Sequence, residues 1–178
     1  MSTFHSPQAR RLATALLGLA SAGLMAPAAH ALNQPEEAPP WQEAQVTPPA
    51  SFSTESVAAF VLEAQSNMRL GIDPKTLTID PDGVVRYVLV AKSSQGALNV
   101  LYEGIRCASA EVKVYARWDN VSSWNTSGKA EWEPLSYRGT TRRAMQMARG
   151  GVCEGKVPNG TPARILRALQ AGTTDLPR

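Results

Sequence analysis

The stretch Val84-Val85-Arg86-Tyr87-Val88-Leu89-Val90-Ala91-Lys92 decides the fold. β-Branched and aromatic side chains dominate it, and such residues favour the pleated backbone of a strand. Before it stands Asp80-Pro81-Asp82-Gly83, where proline presets φ and glycine accepts positive φ, the chemistry of a tight turn. After it, Ser93-Ser94-Gln95-Gly96 turns the chain into a second strand, Leu98 to Cys107, with Leu98, Val100 and Tyr102 on one face. Gly104 interrupts that strand and predicts a bulge. Glu111 to Trp118 then alternates, Val112, Val114, Ala116 and Trp118 one way and Glu111, Lys113, Tyr115 and Arg117 the other. That is the pattern of a half-buried antiparallel strand. Three strands joined by short turns predict a meander.

Outward from this centre the signals are shorter. Leu70 to Ile72 and Leu77 to Ile79 read as short β segments broken by Asp73-Pro74. Residues 55–64 fit either a helical face (Val57, Phe60, Val61, Ala64) or a strand, and the β-like sequence downstream favours strand. Residues 119–139 are loop-rich, anchored by Trp124 and Trp132. Thr141 is placed to cap a helix over 142–149 that Gly150-Gly151 ends. Asn159-Gly160 turns the chain. Thr161 caps a last helix that begins with Pro162 and presents Ile165, Leu166 and Leu169 at helical spacing, with Arg164 and Arg167 outward.

The N-terminus reads as an export leader. Arg10-Arg11 precedes an uncharged Ala- and Leu-rich run, and Ala29-His30-Ala31 offers small residues for cleavage after Ala31. The apolar run falls short of the roughly 20 residues that cross a bilayer. The residues after the arginine pair favour general secretion over the twin-arginine route. No Cys stands at the cleavage region, so no lipid anchor is expected. Removal of 31 residues from 178 leaves 147, the length of one domain. Residues 32–52, with Pro35, Pro39, Pro40, Pro48 and Pro49, read as a flexible tether whose one large apolar group is Trp41. The domain is expected over 53–178.

Export changes the chemistry. The leader takes Arg10 and Arg11 from 18 basic side chains, leaving 16 against 15 acids, so net charge makes no case for nucleic acid. It also takes both histidines, His5 and His30. Histidine-based triads, His-ligated zinc and haem, and imidazole pH switching are thereby excluded from the mature chain. No metal or other cofactor is implied. In an oxidising compartment Cys107 and Cys153 pair with each other most simply, and neither has the spacing of a redox motif.

Candidate sites are few. Trp118, Trp124 and Trp132, with Tyr115 and Tyr137, cluster among Asn, Ser and Thr residues. They can form a platform for sugar rings or a partner protein, or serve as core pegs. Arg86, Glu103 and Arg106 lie on neighbouring strands and can form a charged cluster for an anionic ligand, or an ordinary cross-strand ion pair on a solvated face. Asp80-x-Asp82-Gly83 lacks the further oxygen ligands of a calcium loop and reads as a hairpin turn. The sequons at Asn120, Asn125 and Asn159 read as polar turns. Glu103, Glu111, Asp119, Glu131 and Glu133 are available to a carboxylate hydrolase, but no spacing selects a pair.

Gly83 to Tyr87, then Ser93 to Ala97, Asn99, and Tyr102-Glu103-Gly104-Ile105-Arg106-Cys107 resemble the family of the cryptic neisserial periplasmic protein. Ile72-Asp73-Pro74, Leu77, Tyr115-Ala116, Trp132 and Cys153 fit the same pattern, so the resemblance covers about residues 57–155. It implies a small envelope protein of Gram-negative bacteria and assigns no activity and no functional residues. Members are often thought to be lipoproteins; without a lipid-bearing Cys, this chain fits a soluble periplasmic form.

The expectation is an α+β domain: an antiparallel sheet of about five strands with one or two C-terminal helices on one face, and one disulfide. The leading functional reading is a non-enzymatic periplasmic protein that binds an envelope protein or glycan through the aromatic loop and the exposed sheet face. An inhibitor of a cell-wall hydrolase stands second, by analogy with small disulfide-closed β-domains. A carboxylate hydrolase stands third.

Overall fold

The computed structural model describes residues 39–62, 67–126 and 130–171; the expected leader, the first part of the expected tether and residues 63–64 of the ambiguous stretch lie outside them. The centre is the predicted one. Strand β4 (Val84–Ser93), β5 (Leu98–Arg106) and β6 (Glu111–Trp118) form an antiparallel meander, with β4 and β5 in register from Val84↔Arg106 to Lys92↔Leu98. The free edge of β4 is shared by two shorter strands, β2 (Met68–Ile72) and β3 (Thr78–Ile79). Asp73-Pro74 divides them because proline cannot donate to a ladder. The gap is filled by the Thr76 hydroxyl, which accepts from the Val88 amide at 2.9 Å and donates to the Asp73 carbonyl at 2.8 Å. Strand β1 (Ala58–Phe60) adds to β2, so the ambiguous stretch is strand where it is described. On the far side, β7 (Trp124–Asn125) and β8 (Glu133–Pro134) share the edge of β6. The order is β1-β2-β4-β5-β6-β7, a wider sheet than the meander alone predicts.

Helices cover one face. Here Ile72, Val85, Tyr87, Leu89, Leu101 and Ile105 meet Met147, Val152, Ile165 and Leu169, all buried. Helix α1 (Arg142–Met147) runs into a wider π-type turn at Ala148–Val152. Thr141 does not cap it. Its hydroxyl donates to the Pro134 carbonyl at 2.9 Å and accepts from the Ser136 amide at 3.1 Å, tying the preceding loop instead. Gly151 ends the turn at φ 149°, and a Cβ there would lie 2.6 Å from Ala168 Cβ. Glycine is therefore required for α2 (Pro162–Ala171) to lie against it. Thr161 does cap α2, accepting from the Arg164 amide at 3.2 Å. A small hairpin, β9 (Cys153–Glu154) and β10 (Val157–Pro158), links the two helical parts. The Cys107–Cys153 disulfide staples the end of β5 to that hairpin. Among the described residues, no helix is long and apolar enough to cross a membrane.

The second face departs from expectation. The sheet pairs Tyr102 with Ala116 but Glu103 with Val114, so Tyr115 is an extra residue on β6. The bulge therefore lies on β6, opposite the Tyr102–Glu103 step, rather than at Gly104. It splits the predicted alternation: Val112 and Val114 join the helix-side core, whereas Ala116 and Trp118 join Tyr115 on the other face. That face is not solvated. Val88, Val90, Val100, Tyr102 and Ala116 form a second buried cluster, and Val46, Phe52 and Val57 pack on it. Residues 40–52 are extended, as their prolines require, but they are a docked strap and not a free tether. Burial on both faces explains why β4 is buried from Val84 to Ala91.

Replacing Cys107 and Cys153 by serine is expected to lower the stability measured by urea unfolding by about 4 kcal/mol at most, since the crosslink restrains a long loop of the unfolded chain. An unchanged unfolding midpoint would contradict the staple.

Candidate functional site

The strap docks on a buried cation. Arg86 interrupts the apolar run of β4, and its side chain has no solvent exposure. Its Nη1 donates to Asp80 Oδ2 at 2.7 Å and to Asp82 Oδ1 at 3.0 Å, and its Nη2 donates to Asp82 Oδ2 at 2.7 Å. Its Nε donates to the Tyr115 hydroxyl at 3.1 Å. The hairpin turn of residues 80–83 thus folds its two carboxylates back onto the strand it launches. Gly104 makes the crossing possible: a Cβ there would lie 3.0 Å from the Tyr115 ring and 3.2 Å from Arg86 Cγ.

The strap completes this network. Glu43 accepts from the Tyr115 hydroxyl at 2.9 Å, from Lys113 Nζ at 2.8 Å and from Trp132 Nε1 at 3.2 Å. Asp82 accepts from the Ala44 amide at 2.9 Å, and its carbonyl accepts from Trp41 Nε1 at 2.7 Å. Arg106 lies over the Trp41 ring at 3.6 Å and pairs with Glu111 at 3.7 Å. Burial acts to raise the pKa of Asp82, but hydrogen bonds from Arg86, Ala44 and Val84 outweigh it and hold the carboxyl below its ordinary value. Glu43 is likewise held low, burial being outweighed by Lys113, Tyr115 and Trp132. Burial and then Glu43 push the Tyr115 phenol above its ordinary range.

The aromatic residues singled out in the sequence are occupied by the same strap. Phe52 packs at 5.0 Å from Trp118 and 5.1 Å from Trp124, and Trp124 Nε1 donates to the Pro49 carbonyl at 2.9 Å. Trp132 packs on Tyr115 at 6.4 Å and on Trp41 at 6.0 Å. The expected open platform is therefore two closed clusters, one around Phe52 and one around Trp41. Tyr137 joins neither and stands exposed. The expected charged cluster is also divided: Arg86 and Arg106 belong to the strap face, whereas Glu103 points to the helix face.

Glu103 marks the more open site. It is fully buried, with Oε1 accepting from the Tyr87 hydroxyl at 3.0 Å and Oε2 from Arg143 Nη2 at 2.6 Å. Burial and the Glu103 charge hold the Tyr87 phenol far above its usual range. A buried carboxylate needs such partners, and it fixes the Arg143 guanidinium in return. Arg143 stands where the helical layer stops short of the top of the sheet. On one side is a cavity of about 300 Å³ floored by Leu62, Met68, Leu70 and Ala91. On the other is one of about 240 Å³ walled by Leu101, Val114, Arg117 and Glu133. Asn99, Thr140 and Arg143 line both, so the two form one trough across the sheet. Arg143 Nε is buried and finds no hydrogen-bond partner among the described residues. Arg143 and Thr140 carry no motif in the sequence. The signals that were present are Arg86 and Glu103 themselves, charges set in apolar strands, which require buried partners. Among the described residues, no group of three or more His, Cys, Asp or Glu side chains is placed to hold a metal ion.

Residues 36–170 match the CNP1-like family. Over 102 residues the chain is 34% identical to Cryptic neisserial protein 1 of Neisseria gonorrhoeae (strain ATCC 700825 / FA 1090), covering 49% of each chain. The chain thus spans about half the length of this curated relative. No solved structure matches the chain.

The depressed carboxylates set the acid limit of strap docking. Their contribution is full above the ordinary Glu and Asp values of about 4.3 and 3.9, and is lost as pH falls through the lower folded values. The raised Tyr115 phenol contributes fully below about pH 10, and its share is lost as pH rises further. Tryptophan emission is expected to stay constant from about pH 5 to 9 and to shift to the red below about pH 4. Glu43→Gln should weaken that acid transition, and emission unchanged down to about pH 2 would contradict the assignment.

Proposed function

The chain belongs to the CNP1-like family, and we propose that it is a non-enzymatic binding module of the Gram-negative periplasm. It takes an envelope protein or glycan in the trough on the helix side of the sheet. One observation carries the reading: Arg143 is held by the buried Glu103 between two recesses on the helix side of the sheet. A binding site is a concave surface with a few fixed polar groups, and Asn99, Thr140 and Arg143 supply them beside an apolar floor.

The leader-like residues 10–31 support export, as does the pairing of Cys107 with Cys153. Absence of catalysis is supported by how the carboxylates are used. Both oxygens of Glu103 are engaged, Glu111 pairs with Arg106, and Asp119 Oδ1 accepts the amides of Val121, Ser122 and Ser123. The tryptophans of the aromatic face are a poor place for a ligand, since strap residues already pack on them.

Nuclear magnetic resonance with soluble peptidoglycan fragments and periplasmic protein fractions tests the site. Shifts are expected at Asn99, Thr140 and Arg143, with the indole signals of Trp118, Trp124 and Trp132 unmoved. Arg143→Met alone would strand Glu103, so the informative variant is Arg143→Met with Glu103→Gln, which removes both charges together. It should fold and lose about tenfold or more in affinity, as expected for a hydrogen bond to a charged group. Shifts confined to the indoles, or unchanged affinity in the double variant, would move the site elsewhere.

A further inference from the structure

A formal net charge of only +3 conceals a segregation. Residues 39–137 carry eleven acids and eight basic side chains. Residues 138–171 carry Arg138, Arg142, Arg143, Arg149, Lys156, Arg164 and Arg167 against a single acid, Glu154. This second stretch is the helical layer, which the apolar core places on one side of the sheet. Its apolar buried members face the sheet, and its basic side chains other than Arg143 are exposed.

Contacts link the segments that carry four of them, Gly151 of the π-type turn packing against Ala168 of α2. The Arg164–Glu154 pair at 3.2 Å sets α2 beside the β9–β10 hairpin, whose turn carries Lys156. Arg149 lines a surface recess with Cys153 and Gly155 of the same hairpin. Arg167 is one turn along α2 from Arg164, on the same exposed side. Arg149, Lys156 and Arg167 are exposed and have no acidic partner among the described residues. Next to Lys156, Val157 is 58% exposed. Cations around a protruding apolar side chain match the boundary of an anionic bilayer, where headgroups take the charge and the apolar group enters the interface.

We infer that the outer surface of the helical layer, centred on Arg149, Lys156, Arg164 and Arg167, docks on anionic phospholipid headgroups. The acid-rich strap and sheet are then turned away, and the domain is held in one orientation. The location of that bilayer rests on the periplasmic reading; the docking itself does not, and it is tested apart from the cell.

Vesicle co-sedimentation with the full chain is the test. The vesicles are phosphatidylethanolamine with phosphatidylglycerol, and phosphatidylcholine alone serves as the neutral control. The quadruple variant Arg149→Gln, Lys156→Gln, Arg164→Gln and Arg167→Gln keeps every other segment, so any binding by the leader is common to both proteins. The wild type should bind the anionic vesicles at least about tenfold more tightly than the variant, and should lose binding as salt rises from about 50 to about 500 mM. Circular dichroism and a double variant, Arg149→Gln with Lys156→Gln, expected to be intermediate, guard against a folding defect. Equal binding of wild type and quadruple variant overturns the inference, as does equal binding to phosphatidylcholine. Retention on duplex DNA or heparin without vesicle binding also overturns it, in favour of a polyanionic polymer.

Discussion

A guanidinium with no solvent exposure has to be answered by charge and hydrogen bonds, and Arg86 organises the structure around that need. Asp80 and Asp82 reach it because the turn between β3 and β4 is tight. Tyr115 reaches it because β6 carries one extra residue and because Gly104 leaves room for the crossing. Glu43 and the Ala44 amide then satisfy the outer side of the same groups. The strap is thereby drawn over the sheet, and its apolar members, Val46 and Phe52, bury a second core. Removing one member of such a network leaves the others desolvated and unpaired, which costs several kcal/mol, about 3–5 for a buried ion pair.

Covering one face this fully gives the domain a direction. On the strap face the tryptophans are taken up within the chain, Trp124 and Trp132 by hydrogen bonds and stacking and Trp118 by stacking, while a recess of about 470 Å³ remains between Pro49, Phe52, Ser53 and Tyr102. The helix face is covered over its lower part by α1, the π-type turn and α2, and is left concave above them. Glu103 does on that side what Asp82 does on the other: a buried carboxylate fixes an arginine, Glu103 from a distant strand and Asp82 from the adjoining turn. The difference is that Arg86 is closed in by the strap, whereas Arg143 borders open space. The binding proposal and the charge of the helical layer both follow from this asymmetry.

The sequence made the meander legible because β4, β5 and β6 each carry strong local patterns between recognisable turns. The disulfide was legible from two cysteines and the oxidising compartment expected from the leader-like N-terminus, and α2 from Thr161, Pro162 and its apolar spacing. The strap was not, because proline content reports extended backbone and says nothing of what that backbone touches. Only the apolar run from Tyr87 to Ala91, with no polar face, hinted at a sheet covered on both sides. The bulge at Tyr115 escaped for a similar reason: Glu111 to Trp118 alternates without a flaw, and register is a property of the pair of strands. At the sites, the tryptophans were recognised as anchors, but their occupant lies far away in sequence, as the separations of 75 for Trp124–Pro49 and 89 for Trp132–Glu43 show. Arg143 was invisible because only the helix placement brings it to Glu103.

The most direct test of the account is amide hydrogen exchange along residues 41–53 of the wild-type protein at neutral pH. If Arg86 and its partners hold the strap, the Ala44 and Ser53 amides, which donate to Asp82 and Asp73, exchange as slowly as amides of the sheet's outer strands. Exchange of both at the rate of a free chain, with β4 and β5 still protected, would mean that the strap is not part of the fold. It would also reopen the aromatic face as a binding surface.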